Sequence, residues 1–155
     1  MAEMRRLLVV CTGNSCRSVM AKGLLKKVLQ DQGKEFMVIS AGIAALPGLR
    51  PTRETIEVMA RHHIDVTAHL TQRLTNDMVE SADLVLVMER IHKQEILNRL
   101  PNAKKKVFLL REYAGAPSNY AADIEVPDPI AKPMDVYESC FQLIQEAVEK
   151  VVKKL

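Results

Sequence analysis

Short, wholly apolar runs alternate along this chain with longer stretches in which apolar residues recur every three to four positions. The apolar runs predict four buried strands, at residues 7–11, 36–40, 84–88 and 106–110. The periodic stretches predict helices at residues 18–32, 53–62, 91–100 and 135–155. Strands that are apolar throughout are typical of a parallel sheet covered on both faces. The pattern therefore predicts an α/β fold, a small doubly wound four-stranded parallel sheet with helices on both faces.

Two stretches show neither pattern. Residues 46–51 contain proline and glycine and predict a loop, after which Thr52 is a suitable N-cap for the second helix. Residues 111–133 contain four prolines and predict a long irregular segment that ends where Asp135 caps the last helix. Long irregular segments in compact domains are more often functional than idle.

Composition narrows the class of protein. A chain of 155 residues is long enough for one domain, residues 1–155, with its own core. A net charge of +3, no tryptophan and no basic run interleaved with aromatics argue against nucleic-acid binding. No apolar run approaches the ~20 residues of a membrane span, and the N-terminal apolar run is too short for a secretory signal. Three cysteines make no disulfide framework, which favours a reducing cytoplasm.

The most informative stretch lies between the first strand and the first helix and reads Cys-Thr-Gly-Asn-Ser-Cys-Arg-Ser, residues 11–18, here called the thiol loop. Backbone N–H groups at a helix N-terminus bind anions, and the helix dipole assists them. The spacing brings the Arg17 guanidinium over the loop to hold two phosphate oxygens. The same positive field favours the thiolate form of Cys11, which makes it a nucleophile.

The other residues of the thiol loop have predicted supporting roles. Gly13 is expected to let the backbone turn and approach the anion closely, and Asn14 to adopt a left-handed conformation. Ser18 is expected to hydrogen-bond the Cys11 sulfur. The predicted phosphate-binding residues are Thr12, Gly13, Asn14, Ser15, Cys16, Arg17 and Ser18. The alternative interpretation is a structural cysteine in a tight turn.

A thiol aimed at a bound phosphate indicates covalent phosphoryl transfer, and therefore a phosphatase. Such an enzyme also needs an acid that protonates the leaving group and later a base that activates water. Asp128 lies between two prolines in the long irregular segment, a place from which a carboxylate can reach the thiol loop. In isolation it would be interpreted as a turn aspartate. The neighbouring chemistry favours the catalytic interpretation, with Cys11, Arg17 and Asp128 as the catalytic residues.

These motifs resemble those of the low-molecular-weight protein-tyrosine-phosphatase family, and the resemblance covers nearly the whole chain. The thiol loop matches the family's signature loop, and Asp128-Pro129 matches its general-acid motif. Residues 40–42 match the end of its second strand. The resemblance implies that Asn14, Ser18, Ser40 and His69 form a hydrogen-bond network that supports the thiol loop; without it, His69 would be interpreted as a surface histidine.

The resemblance further implies a two-step mechanism without metal or cofactor, acting on phosphorylated proteins. Cys11 attacks phosphorus, Arg17 steadies the equatorial oxygens, and Asp128 protonates the leaving group. Water activated by Asp128 then hydrolyses the cysteinyl-phosphate. Cys16 would form a reversible, protective disulfide with Cys11 under oxidation. The protein is expected to be a monomer or weak dimer, without a nucleic-acid or membrane partner.

The substrate remains open between phosphotyrosine and phosphoarginine. Tyrosine-directed members of the family carry aromatics where this chain has Leu46 and Ile130, the predicted substrate walls, and Ile or Leu where it has Ser15. The protein-arginine-phosphatase branch has a hydroxyl residue, Thr, at that loop position. Several stretches also resemble that branch most, namely residues 74–75, 80–88, 92–94, 106–108 and 111–113.

Two other classes of function are weighed against a phosphatase. A thiol-dependent arsenate reductase shares the loop but needs further cysteines downstream, and none lies between Cys16 and Cys140. A non-catalytic phosphopeptide-binding module would not need Cys11, Arg17 and Asp128 together. A phosphoprotein phosphatase is therefore the leading prediction.

Overall fold

Four parallel strands form the sheet in a computed structural model that describes residues 5–116 and 124–155. They are β1 (Arg5–Cys11), β2 (Phe36–Gly42), β3 (Leu84–Val87) and β4 (Val107–Leu109). Their order across the sheet is β2-β1-β3-β4, and every neighbouring pair is parallel. The predicted α/β fold class is confirmed. β1 lies between β2 and β3, so the chain leaves it on one side and returns on the other.

Six α-helices and one 3₁₀ helix belong to the described residues. They are α1 (Arg17–Asp31), α2 (Arg53–Arg61), α3 (Asn76–Ser81), α4 (Arg90–Arg99), the 3₁₀ helix (Pro101–Lys106), α5 (Leu110–Tyr113) and α6 (Met134–Lys153). Thr52 caps α2 as predicted, because its side chain accepts a hydrogen bond from the Thr55 N–H. Asp135 as the cap of α6 was wrong: Pro133 holds that position, and Asp135 lies in the first turn.

The segment predicted to be irregular, residues 111–133, is partly helical, because α5 extends to Tyr113. α3 and the 3₁₀ helix were not predicted either. These elements have four to six residues, too few for a periodic apolar pattern to show. Residues 117–123 of the segment, which include Pro117, lie outside the described residues.

Both faces of the sheet are buried. Along β1, Leu7 and Val9 contact one apolar cluster, which includes α1 and α6, while Leu8 and Val10 contact a second one on the opposite face. Successive strand residues point to opposite faces, so a strand covered on both sides must be apolar throughout. This burial explains the uninterrupted apolar runs in the sequence. Among the helices of the described residues, none has the length and apolar character needed to cross a membrane.

The carboxyl ends of the central strands place the thiol loop. In doubly wound sheets, ligands bind beyond these ends, where the strand order reverses. β1 ends at Cys11 and α1 begins at Arg17, so the loop occupies this crevice. Met88 and Glu89, directly after β3, lie at the same edge of the sheet.

Candidate active site

The Cys11 thiol lies at the base of the thiol loop and is 2% exposed. Its Sγ is 3.3 Å from the backbone nitrogen of Asn14, which donates to it, and 3.0 Å from Ser18 Oγ. The Asn14 side-chain amide donates to the same Ser18 oxygen at 2.8 Å. Because the Ser18 oxygen accepts from Asn14, its hydroxyl proton is available to the Cys11 sulfur, which then has two hydrogen-bond donors.

Asn14 holds the thiol loop in shape. Its φ of 56° is left-handed, as predicted. Its side-chain amide also donates to Ser40 Oγ at 3.0 Å, and its Oδ1 accepts from the Gln72 N–H at 2.9 Å. Because every polar atom of this buried side chain has a partner, the loop conformation is fixed by the strand end and by the residue 69–72 segment.

His69 contacts the same loop from outside. Its Nε2 lies 2.9 Å from the Asn14 carbonyl oxygen, and its Nδ1 lies 3.2 Å from Lys22 Nζ. A carbonyl only accepts, so Nε2 carries the proton and Nδ1 accepts from Lys22. Burial lowers the pKa of His69, the Asn14 bond opposes this, and Lys22 and Lys26 lower it further. The structure thus brings together Asn14, Ser18, Ser40 and His69.

The Arg17 side chain is almost fully buried, at 1% exposed, and is held on several sides. Nη1 donates to Glu89 at 2.6 Å and to the Val126 carbonyl at 2.8 Å, and Nη2 donates to Thr12 Oγ1 at 3.4 Å. Burial alone would lower the pKa of Arg17, but the bond to Glu89 and the nearby Cys11 and Asp128 raise it. The guanidinium is therefore a fixed cation beside the Cys11 sulfur.

Asp128 lies on the solvent side of Arg17. Its Oδ2 is 3.6 Å from Arg17 Nη2, and its side chain is 40% exposed. Its Oδ1 accepts from the Ile130 N–H at 3.1 Å. The carboxylate is thus tethered next to the guanidinium while it remains open to water.

Three residues at the site were not predicted from the sequence: Gln72, Glu89 and His92. Gln72 holds both Asn14 and Ser40, because its backbone N–H donates to Asn14 Oδ1 at 2.9 Å and its side-chain amide donates to the Ser40 carbonyl at 2.8 Å. Glu89 is the N-cap of α4, and its backbone N–H donates to His92 in a capping box. The sequence does contain a signal for Glu89. A polar residue directly after β3 must lie at the same edge of the sheet as Cys11, because β1 and β3 are neighbouring parallel strands.

The close approach of Gly13 to an anion stays a prediction. Its φ is not left-handed, and a Cβ there would meet only Ser15 Oγ, at an ordinary 3.5 Å. The glycine that permits close approach between protein segments is Gly42, at the end of β2. A Cβ on Gly42 would lie 2.5 Å from the Thr12 carbonyl oxygen and 2.8 Å from the Asn14 nitrogen.

Cys16 belongs to the thiol loop, and its thiol is buried. Its Sγ is 3.5 Å from Thr52 Oγ1 and 3.7 Å from the Tyr137 hydroxyl. Cys11, Cys16 and Cys140 are all free cysteines. Burial, chiefly, raises the pKa of Cys140 to about 12, so its thiol stays protonated. The disulfide between Cys11 and Cys16 stays a prediction.

The residues predicted to select the substrate are Ser15, Leu46 and Ile130. Ser15 is half-buried, and its Oγ is 3.7 Å from Cys16 Sγ. Leu46 and Ile130 are 69% and 51% exposed, respectively. The loop that carries Leu46 is fastened to the thiol loop, because the Ala44 N–H donates to the Thr12 carbonyl. Ile130 is held next to Asp128, because its N–H donates to Asp128 Oδ1.

Comparison with known families decides between the classes of protein. The sequence model of the low molecular weight phosphotyrosine protein phosphatases matches residues 6–155. The chain belongs to this family. This family member is 39% identical to a probable low molecular weight protein-tyrosine-phosphatase, EpsP, of Ralstonia nicotianae, over 97% of this chain and 96% of the relative.

Two further relatives of this phosphatase-family chain are named for phosphoarginine chemistry. The protein-arginine-phosphatase of Bacillus subtilis is 35% identical over 96% of this chain and 95% of the relative. The structure of a YwlE arginine phosphatase mutant with a phosphorylated active-site serine superposes with a TM-score of 0.88 at 35% identity, over 97% of this chain and 95% of that one. The family prediction is confirmed, and neither arsenate reduction nor passive phosphopeptide binding is favoured.

Proposed function

We propose that the protein hydrolyses phosphorylated proteins through a cysteinyl-phosphate, with Cys11 as nucleophile. The observation that carries this proposal is the pair formed by the Cys11 sulfur and the immobilised Arg17 guanidinium inside one loop. Asn14 and Ser18 can direct hydrogen bonds at the sulfur. The guanidinium bonds Thr12, the residue next to Cys11, and its charge interacts with Cys11. A thiolate and a fixed cation around an anion site are the parts that nucleophilic phosphoryl transfer needs.

The first step forms the S–P bond and breaks the bond from phosphorus to the leaving group. Arg17 neutralises charge on the equatorial oxygens, and Glu89 and Val126 keep the guanidinium in place by holding Nη1. Asp128 gives its proton to the departing atom. Water then attacks phosphorus while Asp128 takes a proton back, so that phosphate and the thiolate are released.

Asp128→Asn tests the acid. Asn can still accept the Ile130 N–H but cannot donate an acidic proton, so kcat/KM on phenyl phosphate, which reports the step that expels the leaving group, should fall by about a hundredfold or more. The fall should be much smaller on p-nitrophenyl phosphate, because that leaving group needs little protonation. Steady-state kinetics on both esters measure the difference. Equal losses on the two esters would show that Asp128 is not the acid.

For the substrate, we propose phosphotyrosine and phosphoarginine as the two candidates. Relatives of comparable identity are named for each of them. Exposed apolar walls at Leu46 and Ile130 offer no ring that stacks on a phenol. The hydroxyl of Ser15 can address a guanidinium, which favours phosphoarginine.

Ser15→Ile should lower kcat/KM on phosphoarginine peptides relative to phosphotyrosine peptides by about tenfold, the value of one lost hydrogen bond. Ser15→Thr keeps the hydroxyl and is the matched control; it should leave the ratio nearly unchanged. Parallel assays on one peptide sequence with either phosphoresidue give the ratio. An unchanged ratio in Ser15→Ile would show that Ser15 does not set substrate choice.

We further propose that residues 1–155 act as a single domain, without metal or cofactor, in a reducing cytoplasm. A monomer or weak dimer that needs neither nucleic acid nor membrane fits the mild charge of the chain. The small number of cysteines is consistent with a reducing cytoplasm.

A further inference from the structure

His92 is fully buried beside the thiol loop, and the proposed mechanism gives it no task. It lies in the first turn of α4, at the carboxyl end of β3. Its Nδ1 lies 3.1 Å from the backbone nitrogen of Glu89, and its Nε2 lies 2.9 Å from Thr12 Oγ1. The ring therefore connects the start of α4 to the second residue of the thiol loop.

The partners of His92 determine its tautomer. The Glu89 N–H can only donate, so Nδ1 must be unprotonated. In a neutral ring the proton is then on Nε2, which donates it to Thr12 Oγ1. Burial and the adjacent Arg17 lower the pKa of His92 to about 4, against the opposing influence of Asp128 and Glu125. The neutral ring is therefore the form present at physiological pH.

The partners of Thr12 determine the direction of its hydroxyl. Thr12 Oγ1 accepts from His92 Nε2–H and, at 3.4 Å, from Arg17 Nη2–H. A hydroxyl oxygen accepts two hydrogen bonds and donates one, so both lone pairs are used and only the O–H is left. Within residues 5–116 and 124–155, no hydrogen-bond acceptor for this proton is found.

The missing acceptor is supplied when a phosphoryl group enters the loop. We infer that His92 is a positioning residue that makes the Thr12 hydroxyl an obligatory hydrogen-bond donor to a phosphoryl oxygen bound beside Arg17. The inference rests on the proposed function, because it places phosphate in the thiol loop. A threonine whose hydroxyl could rotate would lose that freedom when the anion bound. Fixing the proton in advance removes this ordering cost from phosphate binding.

Thr12→Val and Thr12→Ser form the first test. Valine has the shape of threonine without the hydroxyl, so the dissociation constant for inorganic phosphate should rise about tenfold. kcat/KM should fall by a similar factor. Thr12→Ser keeps the hydroxyl and should stay close to the wild type. Calorimetric titration with inorganic phosphate measures binding without any turnover.

His92→Gln and His92→Glu form the second test. Both residues can accept the Glu89 N–H and preserve the capping box, in which Glu and Gln are the usual partners. Gln can still donate to Thr12, whereas the carboxylate can only accept and must draw the hydroxyl proton away from the phosphate. His92→Glu should therefore weaken phosphate binding about tenfold more than His92→Gln. In the Thr12→Val background this difference in phosphate binding should shrink to about twofold, because the Thr12 hydroxyl through which residue 92 acts is absent.

Three results would overturn the inference. Long-range ¹⁵N–¹H spectra should show His92 as the Nε2–H tautomer between pH 5 and pH 8, and an imidazolium or Nδ1–H tautomer contradicts it. A difference between His92→Glu and His92→Gln that persists unchanged in the Thr12→Val background means that His92 does not act through Thr12. Loss of turnover with unaltered phosphate binding in Thr12→Val would mean that the hydroxyl serves Asp128 instead. If the wild type hydrolyses nothing, the tautomer and phosphate-binding results still decide the inference separately.

Discussion

Cys11→Ser should reduce kcat on p-nitrophenyl phosphate by roughly a thousandfold or more, while inorganic phosphate still binds. A serine hydroxyl remains protonated at neutral pH and is a weak nucleophile without a general base. The two groups that bond the Cys11 sulfur among the described residues, the Asn14 N–H and the Ser18 hydroxyl, can both donate to it and are not bases that would take a proton from a serine. The proposed anion site, formed by the loop backbone and Arg17, should keep its geometry.

Cys140→Ser is the matched control for that experiment, because it makes the same chemical change at another buried thiol. Its Sγ contacts the Pro127 carbonyl at 3.9 Å, and no hydrogen bond to the thiol loop is found for it among the described residues, so activity should be largely retained. Steady-state kinetics and thermal unfolding on both variants separate lost chemistry from lost structure. Substantial hydrolysis by a folded Cys11→Ser protein would show that the nucleophile is another group.

Prediction of the fold from the sequence succeeded for elements that are buried and long enough to show a clear apolar pattern. The four strands are apolar throughout because both faces of the sheet are covered, and the predicted strands overlap the observed ones closely. α3 and α5 escaped prediction because six and four residues are too few to show a period of 3.6. At α6, Pro133 is the N-cap although Asp135 is the stronger capping residue, since the rigid proline fixes the turn that precedes the helix.

The part of the candidate site that the sequence can predict is the part contiguous in sequence. Residues 11–18 follow one another around the end of β1, so their closeness to one sulfur is a consequence of their order; their catalytic roles stay predictions. Ser40 and His69 came only from resemblance. Glu89 and His92 hold Arg17 and Thr12 across 72 and 80 residues of chain, a relation that arises only when β3 pairs with β1.

Gly42→Ala should inactivate the enzyme although Gly42 lies outside the thiol loop. The new Cβ would lie 2.5 Å from the Thr12 oxygen, 2.8 Å from the Asn14 nitrogen and 2.9 Å from the Gly13 carbonyl carbon. All three are backbone atoms, which cannot rotate away as a side chain can. The strand end and the thiol loop must therefore separate, and overpacking of this kind costs roughly 1 to 3 kcal/mol in the free energy of unfolding.

Separating the two segments breaks specific bonds. The Ile43 N–H donates to the Cys11 carbonyl at 3.0 Å and the Ala44 N–H to the Thr12 carbonyl at 2.9 Å, so a shift of Gly42 moves the residues that carry the nucleophile. A displacement near 1 Å is enough to lower kcat/KM by about a hundredfold.

Gly13→Ala is the comparison that makes the Gly42→Ala test decisive. Its Cβ would meet only Ser15 Oγ at 3.5 Å, so the unfolding midpoint should be close to that of the wild type. Thermal denaturation followed by circular dichroism should show a clear decrease for Gly42→Ala alone. Equal midpoints in the two variants would mean that the strand end yields without strain. In that case the thiol loop owes its shape to Asn14 and its partners, rather than to the missing side chain at residue 42.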